Sequence, residues 1–569
     1  MRLSTAVVLG ALLLSAGDAT GQVPFPVTPN WISTDADYST GAALVDLNND
    51  GWLDFVVANG NDIKRQHLVV YYNKRDGTFP TIPDWQSDDV DYHGHLAAAD
   101  INGDGFTDIA VSIYIGAGGF AEKGYVKLYM NESGTLESYP SWRSLDSLYT
   151  FSCDFGDANG DGAPDLAVAC GEAYNYRAEQ NRIYLNRAGR LESLPSWKSS
   201  QAGYSYDVGW ADFDNDGLLD LVFANERRPN TMFKNYGDSL GTIPIWQSGD
   251  PSQFANSLAL GDLNNDGYID LGISDNKQLG GTGHFKVYRN NGGTLNDTPF
   301  WSASFSGQES GMTLVDITND GWRDVIGGGW WEPCRAFPNV NGKFGQLPSW
   351  VSSTESVVEA IVAGDVDNRG LDTVRVTYTG NGLRKLYTIP RSPIQQLISV
   401  KVGQETLTAA AYCSSFENGW ISLAATPGPG DTLSLTVVAS RSLDLAVTNW
   451  DPGVGNYLFM NNNGVTAVAG REAHPYGFKL LQNYPNPFNS ETAITYLVPD
   501  QQQQPPGHGK TRLMIFDLAG REVATLVNRQ EPPGEYTVHF DASNLPSGVY
   551  FYRLHAAGKV MAKRMILMK

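Results

Sequence analysis

The sequence predicts an all-β protein, and three observations support this class. A motif with Asp at positions one, five and nine and Gly at position six occurs six times. A tryptophan that has a proline two residues before it recurs at intervals of 49 to 57 residues. No long stretch shows helical periodicity, and the 61 glycines among 569 residues suit many turns. Repeats of this length with four short strands each predict a β-propeller.

The repeated motif is typical of an acidic turn between two apolar strands. Its Gly permits a sharp turn, and oxygen-bearing side chains at alternate positions are what a hard cation such as Ca²⁺ requires. Positions one, three, five and nine of the six copies are Asp46, Asn48, Asp50 and Asp54; Asp100, Asn102, Asp104 and Asp108; Asp157, Asn159, Asp161 and Asp165; Asp212, Asp214, Asp216 and Asp220; Asp262, Asn264, Asp266 and Asp270; and Asp316, Thr318, Asp320 and Asp324.

These six turns predict about six structural Ca²⁺ sites. Two carboxylates ~4 Å apart repel by about 4 kcal/mol at an effective dielectric of ~20, so six clusters without cations would be costly. An EF-hand is excluded because it needs Glu at position twelve. That position holds Val57, Val111, Val168, Phe223, Ile273 or Gly327. A solvated acidic turn without an ion is the alternative for any single copy.

Two further copies have lost parts of the motif. The turn at residues 365–372 is one residue short and has Arg369 at position five, so we expect no Ca²⁺ there. The stretch from Trp420 to Asp444 keeps the spacing of a repeat without the loop ligands, and residues 391–413 are predicted to be an insertion.

The repeat count favours eight blades. Seven is the alternative if residues 389–465 form a separate small β unit. The last repeat lacks an outer strand while the first has a spare one around Trp31, which predicts that terminal strands close the ring within one blade. The regularly spaced tryptophans are expected to wedge between sheets, with stacking on sugar as their alternative role. They are Trp31, Trp85, Trp142, Trp197, Trp246, Trp301 and Trp350.

Composition and chain ends indicate an exported protein of two β domains. The formal net charge of −22 argues against nucleic acid or an anionic membrane as partner, and 19 of the carboxylates lie in the six motifs. Residues 1–21 are typical of a secretory signal peptide, and no later apolar stretch is long enough for a transmembrane helix. We expect a propeller over residues 22–469, a smaller β domain over residues 470–569, and a secreted or outer-surface location.

Four cysteines in an exported chain allow disulfides. Cys153 and Cys170 flank the third motif, and strands of one hairpin would bring them opposite each other, so we predict a bond between them. The pairing of Cys334 and Cys413 is left open.

The repeats resemble the FG-GAP/VCBS family, the calcium-bearing propeller repeats of integrin α-chain heads and many bacterial exported proteins. The likeness covers roughly residues 23–465. It implies that positions one, three, five and nine give side-chain ligands and that position seven gives a backbone carbonyl. Position seven is Trp52, Phe106, Ala163, Leu218, Tyr268 or Trp322.

The C-terminal stretch is similar to the sorting domain of bacterial type IX secretion cargo, an immunoglobulin-like β-sandwich related to one in flagellar hook-capping proteins. The motifs concerned are residues 482–489, 516–521 and 545–552, together with the basic tail to Lys569. The likeness implies the bacterial secretion machinery as a partner. A plain accessory sandwich without a signal role is the alternative.

The favoured function is a non-catalytic recognition or adhesion module with structural calcium, which binds an extracellular glycan or protein. Variable loops opposite the acidic turns would form the ligand face. Its candidate residues are Tyr114, Tyr174, Tyr176, Arg177, Arg227, Arg228, Trp330 and Trp331.

Two alternatives belong to other classes. The first is a polysaccharide lyase or hydrolase, with acid–base candidates Glu172, Glu226, Glu332, His67 and His284. No nucleophile elbow, zinc motif or phosphate loop is present in the sequence, so no catalytic residue is assigned. The second is a structural spacer that displays another partner at the surface.

Overall fold

A computed structural model describes residues 23–569 except 238, 250–253, 463–478, 482, 484–485, 487, 499–509, 532–533 and 557–558. The predicted signal peptide therefore lies outside the described residues. Within them the chain is built from β-strands, and a single 3₁₀ turn at Ala409–Ala411 is the one helical element of this part. The all-β prediction is confirmed.

Five antiparallel sheets with four main strands each come first, and we call them blades 1 to 5. From the innermost strand outward they are Ser39–Val45, Asp54–Asn59, Val69–Tyr71 and Trp85–Gln86; Tyr92–Ala99, Asp108–Gly116, Val126–Tyr129 and Trp142–Arg143; Thr150–Gly156, Asp165–Cys170, Glu179–Tyr184 and Trp197–Gly203; Ser205–Ala211, Asp220–Asn225, Thr231–Phe233 and Trp246–Gln247; and Ala255–Gly261, Asp270–Asp275, Phe285–Tyr288 and Trp301–Ser302. A short strand, Gly119–Lys123, extends blade 2. Second strands such as Asp54–Asn59 are buried throughout because neighbouring blades cover both faces.

Blades 6 and 7 share one six-stranded sheet. Its strands are Glu309–Val315, Asp324–Phe337, Trp350–Gly364, Asp444–Asn449, Tyr457–Phe459 and Trp31–Ile32. The long strand Trp350–Gly364 begins as the outer strand of blade 6 and ends as the innermost strand of blade 7. Trp31 pairs with Leu458, so the N-terminal strand completes the last blade as the sequence predicted.

The innermost strands of successive blades pack against one another in chain order, and that of blade 7 packs against that of blade 1. The described strands thus form a closed ring of seven blades, and the expectation of eight is wrong. Trp420–Leu423, which looked like part of an eighth repeat, pairs with Leu386–Thr388 and Tyr412–Ser415 outside the ring.

The residues between Gly364 and Asp444 contain what we call the inserted unit. Its strands are Leu371–Thr379, Leu386–Thr388, Ile394–Val402, Glu405–Thr406, Tyr412–Ser415, Trp420–Leu423 and Thr432–Ser440. They enclose a separate core that includes Val376, Ile421 and Leu435. The predicted insertion at 391–413 was too short because strands on both sides of it belong to this core.

The C-terminal unit consists of two sheets over one core. Its strands are Lys479–Leu480, Glu491–Val498, Thr511–Phe516, Glu522–Arg529, Gly534–Asp541, Gly548–Ala556 and Lys559–Leu567. Gly534–Asp541 also pairs in parallel with Leu371–Thr379 of the inserted unit, so one seven-stranded sheet runs through both units.

The periodic tryptophans pack between blades, as predicted. The ring of Trp246 meets Tyr288 of the next blade edge-on at 5.6 Å, and its Nε1 donates to the Asn296 carbonyl at 3.2 Å. Equivalent indole hydrogen bonds to the next unit of the ring come from Trp197, Trp301 and Trp350.

The predicted disulfide is wrong. Antiparallel pairing places Cys153 opposite Val168, two residues before Cys170. All four cysteines are free and buried.

Candidate cation loops and the opposite loop face

Each acidic loop is built around the carboxylate at position one. In the first loop, Asp46 Oδ1 accepts from the Asp50 N–H at 2.9 Å, and its Oδ2 accepts from the Gly51 N–H at 2.8 Å. Asn49 and Gly51 have φ of 55° and 87°, a region that favours Asn and Gly. The other five loops repeat both hydrogen bonds. The motif therefore specifies one local conformation six times.

The carboxylate at position nine joins the loop to the ring. Asp54 Oδ2 accepts from the Leu47 N–H at 3.2 Å, and Oδ1 accepts from the Asn73 N–H at 2.9 Å. The Asn73 side-chain amide in turn donates to the Val366 carbonyl of blade 7 at 2.8 Å. The loops and the contacts between blades are therefore parts of one network.

The asparagine that follows the third strand makes the same link around the ring. Its amide reaches a carbonyl of the preceding blade's loop from Asn131, Asn186, Asn235, Asn290 and Asn339. Sequence reasoning missed these residues, although an asparagine recurs at this point in every repeat.

The position-nine carboxylates are buried where little positive charge is available to stabilise them. Burial raises the pKa of Asp54 and Asp108 to about 7, and that of Asp165 and Asp324 to about 8, although backbone N–H donors oppose the shift. A buried anion is stabilised by a nearby cation, which lowers its pKa again. The electrostatics of these loops thus favour a bound cation.

In the described chain, two groups of three carboxylates each bring one oxygen per residue to within 4.8 Å of one another. The first group is Asp212, Asp214 and Asp216, in the fourth loop. The second is Asp365, Asp367 and Asp444, which the sequence did not predict as a group.

The second group shows that the seventh loop is split by the inserted unit. Asp365 accepts from the N–H groups of Arg369 and Gly370 at 3.1 and 2.8 Å, as position one does elsewhere. Position nine is Asp444, whose Oδ2 accepts from the Val366 N–H at 2.9 Å. The expectation that this loop ends at residue 372 is wrong, because Asp372 lies in the inserted unit.

Two loops contain a basic side chain beside their carboxylates. Lys234 Nζ lies 2.8 Å from Asp214 Oδ1 and 2.6 Å from Asp216 Oδ2. In the split loop, Arg369 Nε lies 3.0 Å from Asp367 Oδ2. The basic side chains of Lys234 and Arg369 would compete with a metal ion for the same carboxylates.

The donor set of the six loops fits a hard divalent cation. Every side chain at positions one, three, five and nine offers oxygen. Asp220 Oδ2 and Thr318 Oγ1 are buried and have no hydrogen-bond partner among the described residues. Ca²⁺ accepts six to eight such oxygens in flexible geometry.

The opposite face of the ring divides the predicted ligand residues into two groups. Tyr174, Tyr176 and Trp331 are 42%, 67% and 52% exposed. Tyr114 and Trp330 are buried, so their assignment to the ligand surface is wrong. Both lie in strands, Asp108–Gly116 and Asp324–Phe337, and not in the loops where they were predicted.

The three predicted arginines of this face are held by aromatic rings. Arg227 lies over Tyr176 at 4.5 Å, and Arg228 lies over Tyr204 at 5.8 Å. Arg177 lies over Tyr149 at 5.0 Å. Stacked guanidinium groups lose less freedom on binding a ligand than free ones do.

Among the five acid–base candidates, Glu332, His67 and His284 are bonded to other groups. Glu332 is paired with Arg335, and His67 Nδ1 lies 2.7 Å from the Ser87 carbonyl. His284 Nδ1 is bonded to the Phe305 carbonyl. Glu172 and Glu226 are buried, and burial raises the pKa of Glu226 to about 8.

The ring and its acidic turns define a β-propeller whose repeats each carry an Asp-rich loop. Residues 46–111, 159–223 and 212–273 match the FG-GAP-like repeat, and residues 482–568 match the secretion system C-terminal sorting domain. The chain contains both kinds of module, which confirms the two resemblances, and it is a secreted or cell-surface protein. The described chain has no helix with the length and apolarity needed to cross a membrane.

Curated relatives are similar over parts of the chain. Integrin alpha-3 of Cricetulus griseus is 29% identical over 183 residues, which cover 28% of this chain and 16% of that protein. Cartilage acidic protein 1 of Xenopus tropicalis is 24% identical over 382 residues, or 62% of this chain and 50% of that protein. Phosphatidylinositol-glycan-specific phospholipase D of Mus musculus is 29% identical over 161 residues, or 24% and 18%. The chain spans at most half the length of these relatives.

Proposed function

We propose that this chain is a recognition or adhesion protein of the cell exterior, in which Ca²⁺ bound by the acidic loops stabilises the propeller and the opposite face binds an extracellular glycan or protein. The repeated loop scaffold is the observation that supports the calcium part. Six turns present the same carboxylate, amide or hydroxyl oxygens on the same backbone conformation, and their position-nine carboxylates are buried.

The proposed ions are structural. The buried carboxylate of Asp54 is bonded to Asn73, whose amide is bonded to the preceding blade. An ion that neutralises Asp54 stabilises this chain of contacts, and the same reasoning applies at each junction. The role of Ca²⁺ is thus to hold the ring closed.

Calcium removal tests this part. With Kd near 10⁻⁴–10⁻³ M, 10 mM Ca²⁺ would add roughly 1.4–2.7 kcal/mol per site. EDTA should lower the melting temperature, and Ca²⁺ should restore it. Asp165→Asn should remove one Ca²⁺ from the calorimetric stoichiometry, whereas the exposed control Asp297→Asn should not. A melting curve that EDTA leaves unchanged would contradict structural calcium.

The ligand part rests on the exposed aromatic residues of the loop face. Trp331 packs edge-on against Trp330 at 6.3 Å and Trp450 at 6.2 Å, so its exposed ring is held in place. Tyr176 is held by the guanidinium of Arg227. Rigid aromatic side chains supply contact area at low entropic cost.

Binding assays on extracellular glycan and matrix-protein arrays test the ligand part. Trp331→Ala and Tyr176→Ala should weaken the strongest hit by at least about tenfold, which is 1.4 kcal/mol. Tyr236→Ala is the matched control, because Tyr236 is 61% exposed and belongs to the turn after the third strand of blade 4. An equal loss of affinity in all three variants would contradict ligand binding by the loop face.

A polysaccharide lyase or hydrolase is the second candidate, and one observation favours it. Glu226 Oε1 is buried without a hydrogen-bond partner among the described residues, and its raised pKa of about 8 suits a general acid. Incubation with acidic and neutral polysaccharides should then give new reducing ends or unsaturated products. Glu226→Gln should abolish them, and an absence of products from the wild-type protein would reject this candidate.

A further inference from the structure

The inserted unit covers one end of the central channel that the innermost strands enclose. Two cavities lie along this channel. The outer one, of about 340 Å³, lies between the acidic-loop end of the ring and the inserted unit. The inner one, of about 130 Å³, lies deeper between the strands. Asp154 of blade 3 and Glu417 of the inserted unit border both cavities.

The walls of the outer cavity combine polar and apolar surface in similar amounts. Leu44 and Leu96 line it from the ring, and Ile394, Leu397 and Phe416 line it from the inserted unit. Its volume lies in the range of about 300–1,000 Å³ that is typical of small-molecule sites. The cavity therefore has room and apolar surface for the body of a small organic ligand.

Glu417 supplies an unpaired charge at the junction of the two cavities. Its side chain is exposed and borders both cavities. No hydrogen bond or ion pair connects its carboxylate to another described residue. Burial and then Asp207 raise the pKa of Glu417, and burial and then Glu417 raise the pKa of Asp154. Burial is thus the largest influence on the pKa of both carboxyl groups.

The inner cavity adds further acidic groups. Asp207 and Glu359 line it, and His95 has a buried Nε2 with no partner among the described residues. Glu359 Oε1 accepts from the neutral indoles of Trp330 and Trp450 at 3.1 and 2.7 Å.

The nearby positive charge does not balance these carboxylates. Arg323, which lowers the pKa of Glu417, is itself bonded to the Leu314 carbonyl and the Ser392 hydroxyl. Four carboxylates of the channel, those of Asp154, Asp207, Glu359 and Glu417, therefore face one guanidinium and one imidazole.

We propose that this chamber binds a small organic ammonium ion with an apolar body, and that Glu417 is its anionic partner. A single metal ion suits the four channel carboxylates less well, because Asp154, Asp207, Glu359 and Glu417 are not among the groups of the described chain that converge within 4.8 Å. An ammonium group reaches separated carboxylates through several N–H donors, and its apolar body fills the outer cavity. This site lies apart from the loop-face residues, and its outer cavity also borders Asp46 and Asp100, the position-one carboxylates of the first two acidic loops.

Calorimetry with phenethylamine tests the proposal on the full chain in millimolar Ca²⁺. Phenethylamine should bind saturably with one site per chain. The isosteric neutral 2-phenylethanol should bind at least about tenfold more weakly. Glu417→Gln should lower the affinity for phenethylamine about tenfold and leave the affinity for 2-phenylethanol unchanged. Glu405→Gln is the matched control, because Glu405 is an exposed residue of the same inserted unit.

Three results would overturn the proposal: no saturable binding of phenethylamine, equal affinity for the alcohol, or unchanged affinity in Glu417→Gln. Melting curves in Ca²⁺ should show that both variants are folded. A failure of structural calcium would appear as insensitivity to EDTA, which does not depend on Glu417, so the two proposals fail separately.

Discussion

Replacement of Asn73 by Ala tests the closure of the ring at the junction of blades 1 and 7. The Asn73 amide donates to the Val366 carbonyl at 2.8 Å and to the Leu53 carbonyl at 3.2 Å. Its Oδ1 accepts from the Arg75 and Gly77 N–H groups at 3.0 and 3.2 Å. The side chain thus makes four hydrogen bonds at a buried position.

We expect the loss to be about 3 kcal/mol. Each hydrogen bond contributes about 1 kcal/mol net, so the four together contribute about 4 kcal/mol, of which relaxation around the freed groups recovers about 1 kcal/mol. At about 2 °C per kcal/mol, as for large domains, the melting temperature should fall by about 6 °C. Differential scanning calorimetry in millimolar Ca²⁺ measures this fall.

The matched control is Asn528→Ala, because Asn528 is an exposed residue of the C-terminal unit. It should leave the propeller transition unchanged. If Asn73→Ala also melts within about 1 °C of the wild type, the link from loop carboxylate to neighbouring blade does not stabilise the ring.

Three further predictions follow from the same network. Lys234→Met removes the ammonium from Asp214 and Asp216 and should raise the Ca²⁺ affinity of the fourth loop about tenfold in calorimetry, whereas Lys277→Met should not. In EDTA, the free energy of unfolding should be greatest below about pH 4 and should fall as the pH rises to about 8, because the folded pKa values of Asp54 and Asp165 are raised to about 7 and 8. Saturating Ca²⁺ should flatten this pH profile. A loss of stability toward low pH in EDTA would contradict the prediction. Dithiothreitol should leave the melting temperature unchanged, because the four cysteines are free and buried; a shift would show a disulfide.

Local patterns in the sequence predicted the parts of the fold that local chemistry determines. An Asp, Asn or Gly at a given position of the motif determines the turn conformation. Asn49 and Gly51, for example, adopt the positive φ that the turn requires. The tryptophans were predictable for the same reason, since each occupies one position of a repeated packing unit.

Features that depend on distant pairing were not predictable from spacing. Trp420 lies 24 residues before Asp444, as Trp246 lies before Asp270, yet Trp420 belongs to the inserted unit and Asp444 belongs to blade 7. The predicted disulfide between Cys153 and Cys170 was wrong because the strand register places Val168, two residues before Cys170, opposite Cys153.

The split seventh loop explains how a large insertion is compatible with a closed ring. The inserted unit leaves the loop after Gly370 and returns before Asp444, and the hydrogen bond from Val366 to Asp444 joins the two ends. The loop conformation therefore depends on residues 78 positions apart in the chain. Because the C-terminal unit pairs with the inserted unit through Val374–Thr377, its connection to the ring also passes through this loop. A perturbation of Asp444 should consequently affect both ring closure and the placement of the C-terminal unit. The third loop also contacts the inserted unit, because Asp157 Oδ2 accepts from the Ser422 hydroxyl at 2.6 Å.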